Sequence, residues 1–168
     1  MALHRIPILT ASTVPDASGN VFQEPYNVKA TNDQWRHLNF VFNDTATRDL
    51  LYGLFTVPKN YVSTPKIIVV WTSTATSGNV VWNYDYRSVG GDDTTSFDQS
   101  GTEEALTVTD AAPTAANRRL ETSMSITAAN LSADETIEFL FGRDGTSGSD
   151  TMAAAAMLFN LLFEYGDA

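Results

Sequence analysis

Apolar residues recur at every second position through most of this chain, and that period restricts it to strands with one buried and one wet face. In "NVVWNYDYRS" (residues 79–88), Val80, Trp82, Tyr84 and Tyr86 share one side, opposite Val81, Asn83, Asp85 and Arg87. In "HLNFVFND", Leu38, Phe40 and Phe42 alternate with Asn39, Val41 and Asn43; in "RLETSMSIT", Leu120, Thr122, Met124 and Ile126 alternate with Glu121, Ser123, Ser125 and Thr127. "TIEFLFGR" sets Ile137, Phe139 and Phe141 together, and "ALTV" (105–108) is a further short strand. Turn clusters such as "TSGN", "VGGDD", "DAAPTAAN", "NLSADE" and "RDGTSGSD" separate these segments. Short strands at such spacing predict an all-β fold, a sandwich or a barrel.

Two stretches are apolar on both sides, "KIIVVWTST" and "DLLYGLFTV". Such runs suit strands covered on both faces, or strands whose outer face meets another chain. "DTMAAAAMLFNLLFEYG" admits two readings: its four alanines favour a helix over 151–163, while "LFNLLFEYG" reads as a buried strand. With some seven strands before it, at least Leu158 to Tyr165 is expected to close the sandwich. The first 30 residues show no sustained period and carry Pro7, Pro15 and Pro25. Because proline lacks a backbone donor, this segment is expected to be an extended N-terminal arm, followed by one domain over residues 31–168.

The 168 residues suit a single domain large enough to bury a core without disulfides or metals. There is no cysteine, which removes thiolate catalysis, cysteine zinc sites and disulfides, and fits a reducing cytosol as well as work outside a cell. Pro7 interrupts the only apolar run near the start, so no secretory signal is expected. The longest apolar stretch, residues 151–163, contains Asn160 and falls short of the roughly 20 residues of a membrane span, so no membrane partner is expected. The net charge of −10 is unevenly placed: residues 1–66 sum to +1 and residues 67–168 to −11. An acidic surface repels phosphate backbones, which argues against nucleic acid.

No constellation identifies a reaction. His4 and His37 are the only histidines, without the spacing of a zinc site. No G-x-S-x-G elbow is present, and the loop acids Asp92, Asp93, Asp98, Glu103 and Glu104 sit among Gly, Thr and Ser, where a carboxyl stays hydrated and ionised. The same loop and "RDGTSGSD" offer oxygens to a calcium ion but lack the D-x-[DN]-x-[DN]-G spacing, so no catalytic residue, metal or cofactor is assigned. Trp35, Trp71, Trp82, Tyr84 and Tyr86 could supply flat faces to a sugar. Trp82, Tyr84 and Tyr86 would form an aromatic ladder if their side were open; alternation with Asn83, Asp85 and Arg87 favours that side as core.

The succession of an N-terminal arm, "WRHLNFVFND", "LLYGLFTVPKNYVSTPKIIVVWTSTATSGNVVWNYDYRSV", an acidic loop, and "RRLETSMSITAANLSADETIEFLFGRDGTSGSDTMAAAAMLFNLLFEYG" resembles jelly-roll structural proteins encoded in tailed-bacteriophage genomes. The resemblance covers about residues 35–166. It rests on the "VP" turn before the "ATSGNVVW" hairpin and on the Gly-Arg-Asp turn that leads through Asp-Thr into the closing strand. It implies an antiparallel β-sandwich of jelly-roll type, about eight strands, without enzymatic activity. It further implies a capsid decoration or cement protein, a homotrimer on the exterior of the virion, assembled in the host cytoplasm with the major capsid protein as partner. On that reading the arm, through Arg5, Ile6, Ile8, Leu9, Phe22 and Tyr26, would lie on the capsid shell. The alternative expectation is a carbohydrate- or receptor-binding β-sandwich module of a phage fibre, using Trp82, Tyr84 and Tyr86.

Overall fold

The computed structural model describes residues 2–10, 13–18, 20–25, 38–90 and 96–167; the expectations placed on Tyr26, Trp35, His37, Asp92 and Asp93 lie outside them. Among the described residues there are eleven strands and one short 3-10 turn: β1 (Leu3–Pro7), β2 (Val14–Pro15), β3 (Val21–Pro25), β4 (Leu38–Phe42), β5 (Arg48–Thr56), β6 (Ser63–Ser73), β7 (Asn79–Val89), β8 (Glu104–Ala111), β9 (Leu120–Ser125), β10 (Thr136–Asp144) and β11 (Ala156–Gly166). One sheet runs β3-β4-β11-β6-β9, with β1 paired to the far end of β11; the other runs β2-β5-β10-β7-β8. Every pairing is antiparallel. The chain is an all-β jelly-roll sandwich, and β4 to β11 are the eight strands that the alternation implied.

The two inner faces meet in an aromatic core. Trp82 stacks on Phe141 with centroids 5.1 Å apart, and Trp71 meets Trp82 edge-on at 5.7 Å. Phe55, Phe139, Phe163 and Tyr165 continue the cluster toward the other end. The β11 strand carries Leu158 and Leu161 inward, three residues apart, which strict alternation forbids. A bulge between Leu158 and Asn160 restores the register against β6 and turns both leucines to the core. Residues 151–163 therefore hold no helix: the strand begins at Ala156, where the run of small residues ends.

The N-terminal segment, expected as an extended arm outside the sheets, pairs its described residues into both of them. β1 pairs with β11 from Leu3↔Gly166 to Pro7↔Leu162, β2 pairs with β5, and β3 with β4. Each of the three strands is short, lies at a sheet edge, and ends on a proline. A missing N–H is tolerated at an edge, where no neighbour needs it, so the prolines end these strands without preventing them. Ile8, just past β1, is fully buried and donates its N–H to the Leu161 carbonyl at 2.9 Å. Burial of a side chain this size contributes about 1.5–3 kcal/mol, enough to fix the segment to the domain.

The sandwich is closed at one end by Arg143. Its guanidinium is 1% exposed and donates to both oxygens of Asp150 at 3.0 and 2.6 Å, and to the carbonyls of Ala154 and Met152. The Asp150 carboxylate also accepts the Val81 N–H at 3.1 Å, so the β10–β11 loop is locked onto β7. The two sheets are joined again at Glu104 of β8, which accepts the Tyr86 hydroxyl and both the N–H and hydroxyl of Thr127 beyond β9. Desolvation works upward on the Glu104 carboxyl, but these hydrogen bonds hold it below its ordinary value.

Candidate functional site

Among the described residues, the outer face of the five-stranded sheet carries one ligand-sized space, and a second, of about 470 Å³, lies beside Leu9, Thr13, Leu38 and Phe40. Side chains at alternate positions of β5, β10 and β7 point to solvent on that outer face, and the registers align them in rows. One row crosses the whole sheet: Val14, Tyr52, Leu140, Asp85 and Ala105. The next row sets Leu54, Glu138 and Arg87 side by side. Between these rows and the segment at Gly101 and Thr102 lies an open cleft of about 300 Å³, at the lower end of the size of small-ligand sites.

The run "DLLYGLFTV" therefore differs from "KIIVVWTST" in a way that matters. β6 is covered on both faces, whereas the outer face of β5 stays open, with Tyr52 43% and Leu54 46% exposed. An exposed tyrosine ring beside fixed polar groups offers both an apolar face and hydrogen-bonding partners. The polar groups are held by ion pairs: Arg48 Nη2 donates to Asp85 Oδ2 at 2.7 Å, and Arg87 Nε donates to Glu138 Oε2 at 2.7 Å. Arg87 also donates to the carbonyls of Gln99 and Phe97, tying the loop wall to the sheet floor. Beside the cleft, two residues along β7 from Asp85, Asn83 donates to Asp144 and accepts from Thr107. The result is a surface on which two guanidinium groups are paired with two carboxylates, Asp85, Arg87 and Glu138 among them lining the cleft.

The residues singled out from the sequence fall elsewhere. Trp82, Tyr84 and Tyr86 are 0%, 0% and 2% exposed; they face the other sheet, so the open sugar-binding ladder is corrected to core. Burial holds the Tyr84 hydroxyl proton far above the ordinary tyrosine range. Of the residues assigned to a capsid-binding arm, Ile8 is in the core and Ile6 and Leu9 pack against it. Arg5 is engaged with Glu164 at 2.7 Å and with Glu121, and Phe22 alone of the described apolar members stands 37% exposed. His4 stacks on Tyr165 and pairs with Asp167 at 2.7 Å. In the acidic loop Asp98 and Glu103 are exposed, and among the described residues no three His, Asp or Glu side chains group to hold a metal ion.

Tyr52, Asp85, Arg87 and Glu138 were not assigned a role by sequence reasoning. The available signal was the two-sided apolar character of β5: an apolar outer face that no other layer covers marks a candidate contact surface.

No protein-family model matches the chain, and none of the curated proteins matches it. Solved structures do share its fold. A family 35 carbohydrate binding module from Clostridium thermocellum superposes with a TM-score of 0.51 at 10% identity, covering 95% of this chain and 97% of that one. CBM35 from Cellvibrio japonicus Abf62 gives a TM-score of 0.51 at 11% identity, covering 99% and 95%. At such identities the likeness is one of fold, a jelly-roll β-sandwich over nearly the full length of each chain.

Proposed function

We propose that this chain is a non-enzymatic carbohydrate-binding β-sandwich module that seats its ligand in the cleft on the outer face of the five-stranded sheet. The observation that carries the reading is the exposed Tyr52 ring beside Asp85, Arg87 and Glu138, polar groups already fixed by ion pairs. A sugar ring has an apolar face and an equatorial rim of hydroxyls, so it can stack on the tyrosine while its hydroxyls meet the carboxylates. The fold shared with two carbohydrate binding modules is consistent with this assignment. No side chain here needs to move a proton for binding. A glycan array is the test: the wild-type chain gives saturable signals, and Tyr52→Ala weakens them roughly tenfold while its unfolding midpoint stays unchanged. An array without any signal would refute the reading.

A second reading is a tailed-phage capsid decoration protein that binds the major capsid protein at capsomer junctions as a homotrimer on the virion exterior. The observation favouring it is an uncovered apolar edge. Leu3 is 66% and Val62 54% exposed, and both flank Gly166: Leu3 pairs with it, and the Val62 N–H reaches its carbonyl at 2.9 Å. This edge replaces the free arm as the contact surface. Trimers by light scattering, and capsid attachment lost on Leu3→Asp with Val62→Asp, would support it. A monomer that ignores capsid shells would refute it. The two readings use different surfaces and are compatible in one molecule.

A further inference from the structure

We infer, on the carbohydrate reading above, that the cleft takes a neutral glycan, recognised as a donor of hydroxyl hydrogen bonds, and that acidic glycans are excluded. Recognition of a uronate or sulfate calls for a guanidinium or ammonium free to pair with it. Neither arginine near the cleft is free in that sense. Arg87 uses Nε on Glu138, Nη1 on the Gln99 carbonyl and Nη2 on the Phe97 carbonyl. Arg48 stands outside the residues lining the cleft; its charge is paired with Asp85 through Nη2, and its Nε, though without a partner among the described residues, is buried away from any ligand. What remains are acceptors: Glu138 and Asp85 spend Oε2 and Oδ2 on their arginines, leaving Oε1 and Oδ1 without a protein partner among the described residues. Hydroxyls donating to such oxygens form charge-assisted bonds, about twice as strong as neutral ones.

The surrounding field acts in the same direction. The cleft wall at Thr102 continues into Glu103 and Glu104, and the chain as a whole carries a net charge of −10. A polyanion approaching this face meets repulsion before it meets a donor. A neutral polysaccharide meets no such barrier, and its affinity should depend little on ionic strength.

The test is native affinity electrophoresis of the full chain in gels containing either neutral polysaccharides (xylan, mixed-linkage glucan, galactan, mannan) or acidic ones (polygalacturonate, alginate), at low and high salt. Retardation is expected in at least one neutral gel, insensitive to salt, with none in the acidic gels. Tyr52→Ala should weaken the neutral interaction roughly tenfold by calorimetry. Glu138→Gln deprives Arg87 of its counter-charge and should gain retardation in polygalacturonate. Salt-sensitive retardation of the wild type by an acidic gel would overturn the neutral assignment and leave the carbohydrate reading standing. A Glu138→Gln protein as inert to polygalacturonate as the wild type would overturn charge balance as its basis. Undiminished neutral binding by Tyr52→Ala would overturn this cleft as the site. No retardation in any gel would overturn both the assignment and the carbohydrate reading.

Discussion

Replacing Arg143 by methionine tests the internal logic of this sandwich most directly. Methionine keeps most of the stem volume and removes only the guanidinium. Among the described residues, the Asp150 side chain, 2% exposed, would then retain the Val81 N–H as its single donor, and the carbonyls of Met152 and Ala154 would each lose one. Breaking one side of a buried ion pair costs about 3–5 kcal/mol, because the remaining charge is stranded. The two abandoned carbonyls place Arg143→Met at the upper end of that range. In a domain of this length each kcal/mol shifts the midpoint by about 2–4 °C, so Tm should fall by roughly 10–20 °C. Urea unfolding followed by tryptophan fluorescence is a suitable assay, since Trp82 lies directly opposite Arg143 in the β7–β10 register. The double variant with Asp150→Asn should recover part of the loss, because it removes the stranded charge. A single variant within about 0.5 kcal/mol of the wild type would refute the reasoning and reduce the pair to surface decoration.

Other expectations follow from the same geometry. Ile8→Ala should cost about 2–5 kcal/mol in urea melts, and deleting residues 2–25 should destabilise the whole sandwich, whereas a free arm would leave it unaffected. Glu104, whose folded-state carboxyl lies below its ordinary value, contributes stability that is present above its unfolded value and lost as pH falls through the folded one; Glu104→Gln should therefore be less stable than the wild type at neutral pH, the difference narrowing below about pH 4 in an acid titration followed by near-UV circular dichroism. A Cβ at Gly142 would lie 2.0 Å from the Asp49 carbonyl oxygen, where β5 and β10 approach, so Gly142→Ala should cost about 1–3 kcal/mol or more in thermal unfolding.

The strands of the domain were legible because their period is a local property: one buried face imposes alternation whatever the partner. Trp82, Tyr84 and Tyr86 against Asn83, Asp85 and Arg87 could be assigned inside and outside without knowing which strand lay opposite. The short edge strands were not legible, since two to five residues ending in proline carry too little pattern to outweigh proline's lost donor. Their place in the fold comes from non-local partners, such as Leu161 for Ile8. The cleft was hidden for a related reason. Tyr52 lies on β5, Asp85 and Arg87 on β7 and Glu138 on β10, and only the sheet order brings them into adjoining rows. The bulge at Leu158–Asn160 shows how strict period can mislead even within one strand, by exchanging the faces of the residues that follow it.

The pairing of β1 with β11 also has a mechanical consequence. Ala2 and Asp167 are joined by hydrogen bonds at 2.7 and 3.2 Å, and Leu3↔Gly166 is the first rung beyond them. A load applied through residues 2 and 167 pulls across the strands at one end of an antiparallel ladder, not along it. Such a ladder opens rung by rung, each bond bearing the load alone, so little force is needed. Peeling would proceed from Leu3 to Pro7 and then reach Ile8, whose extraction uncovers the core. Under tension this sandwich would open first at the seam where its two ends meet.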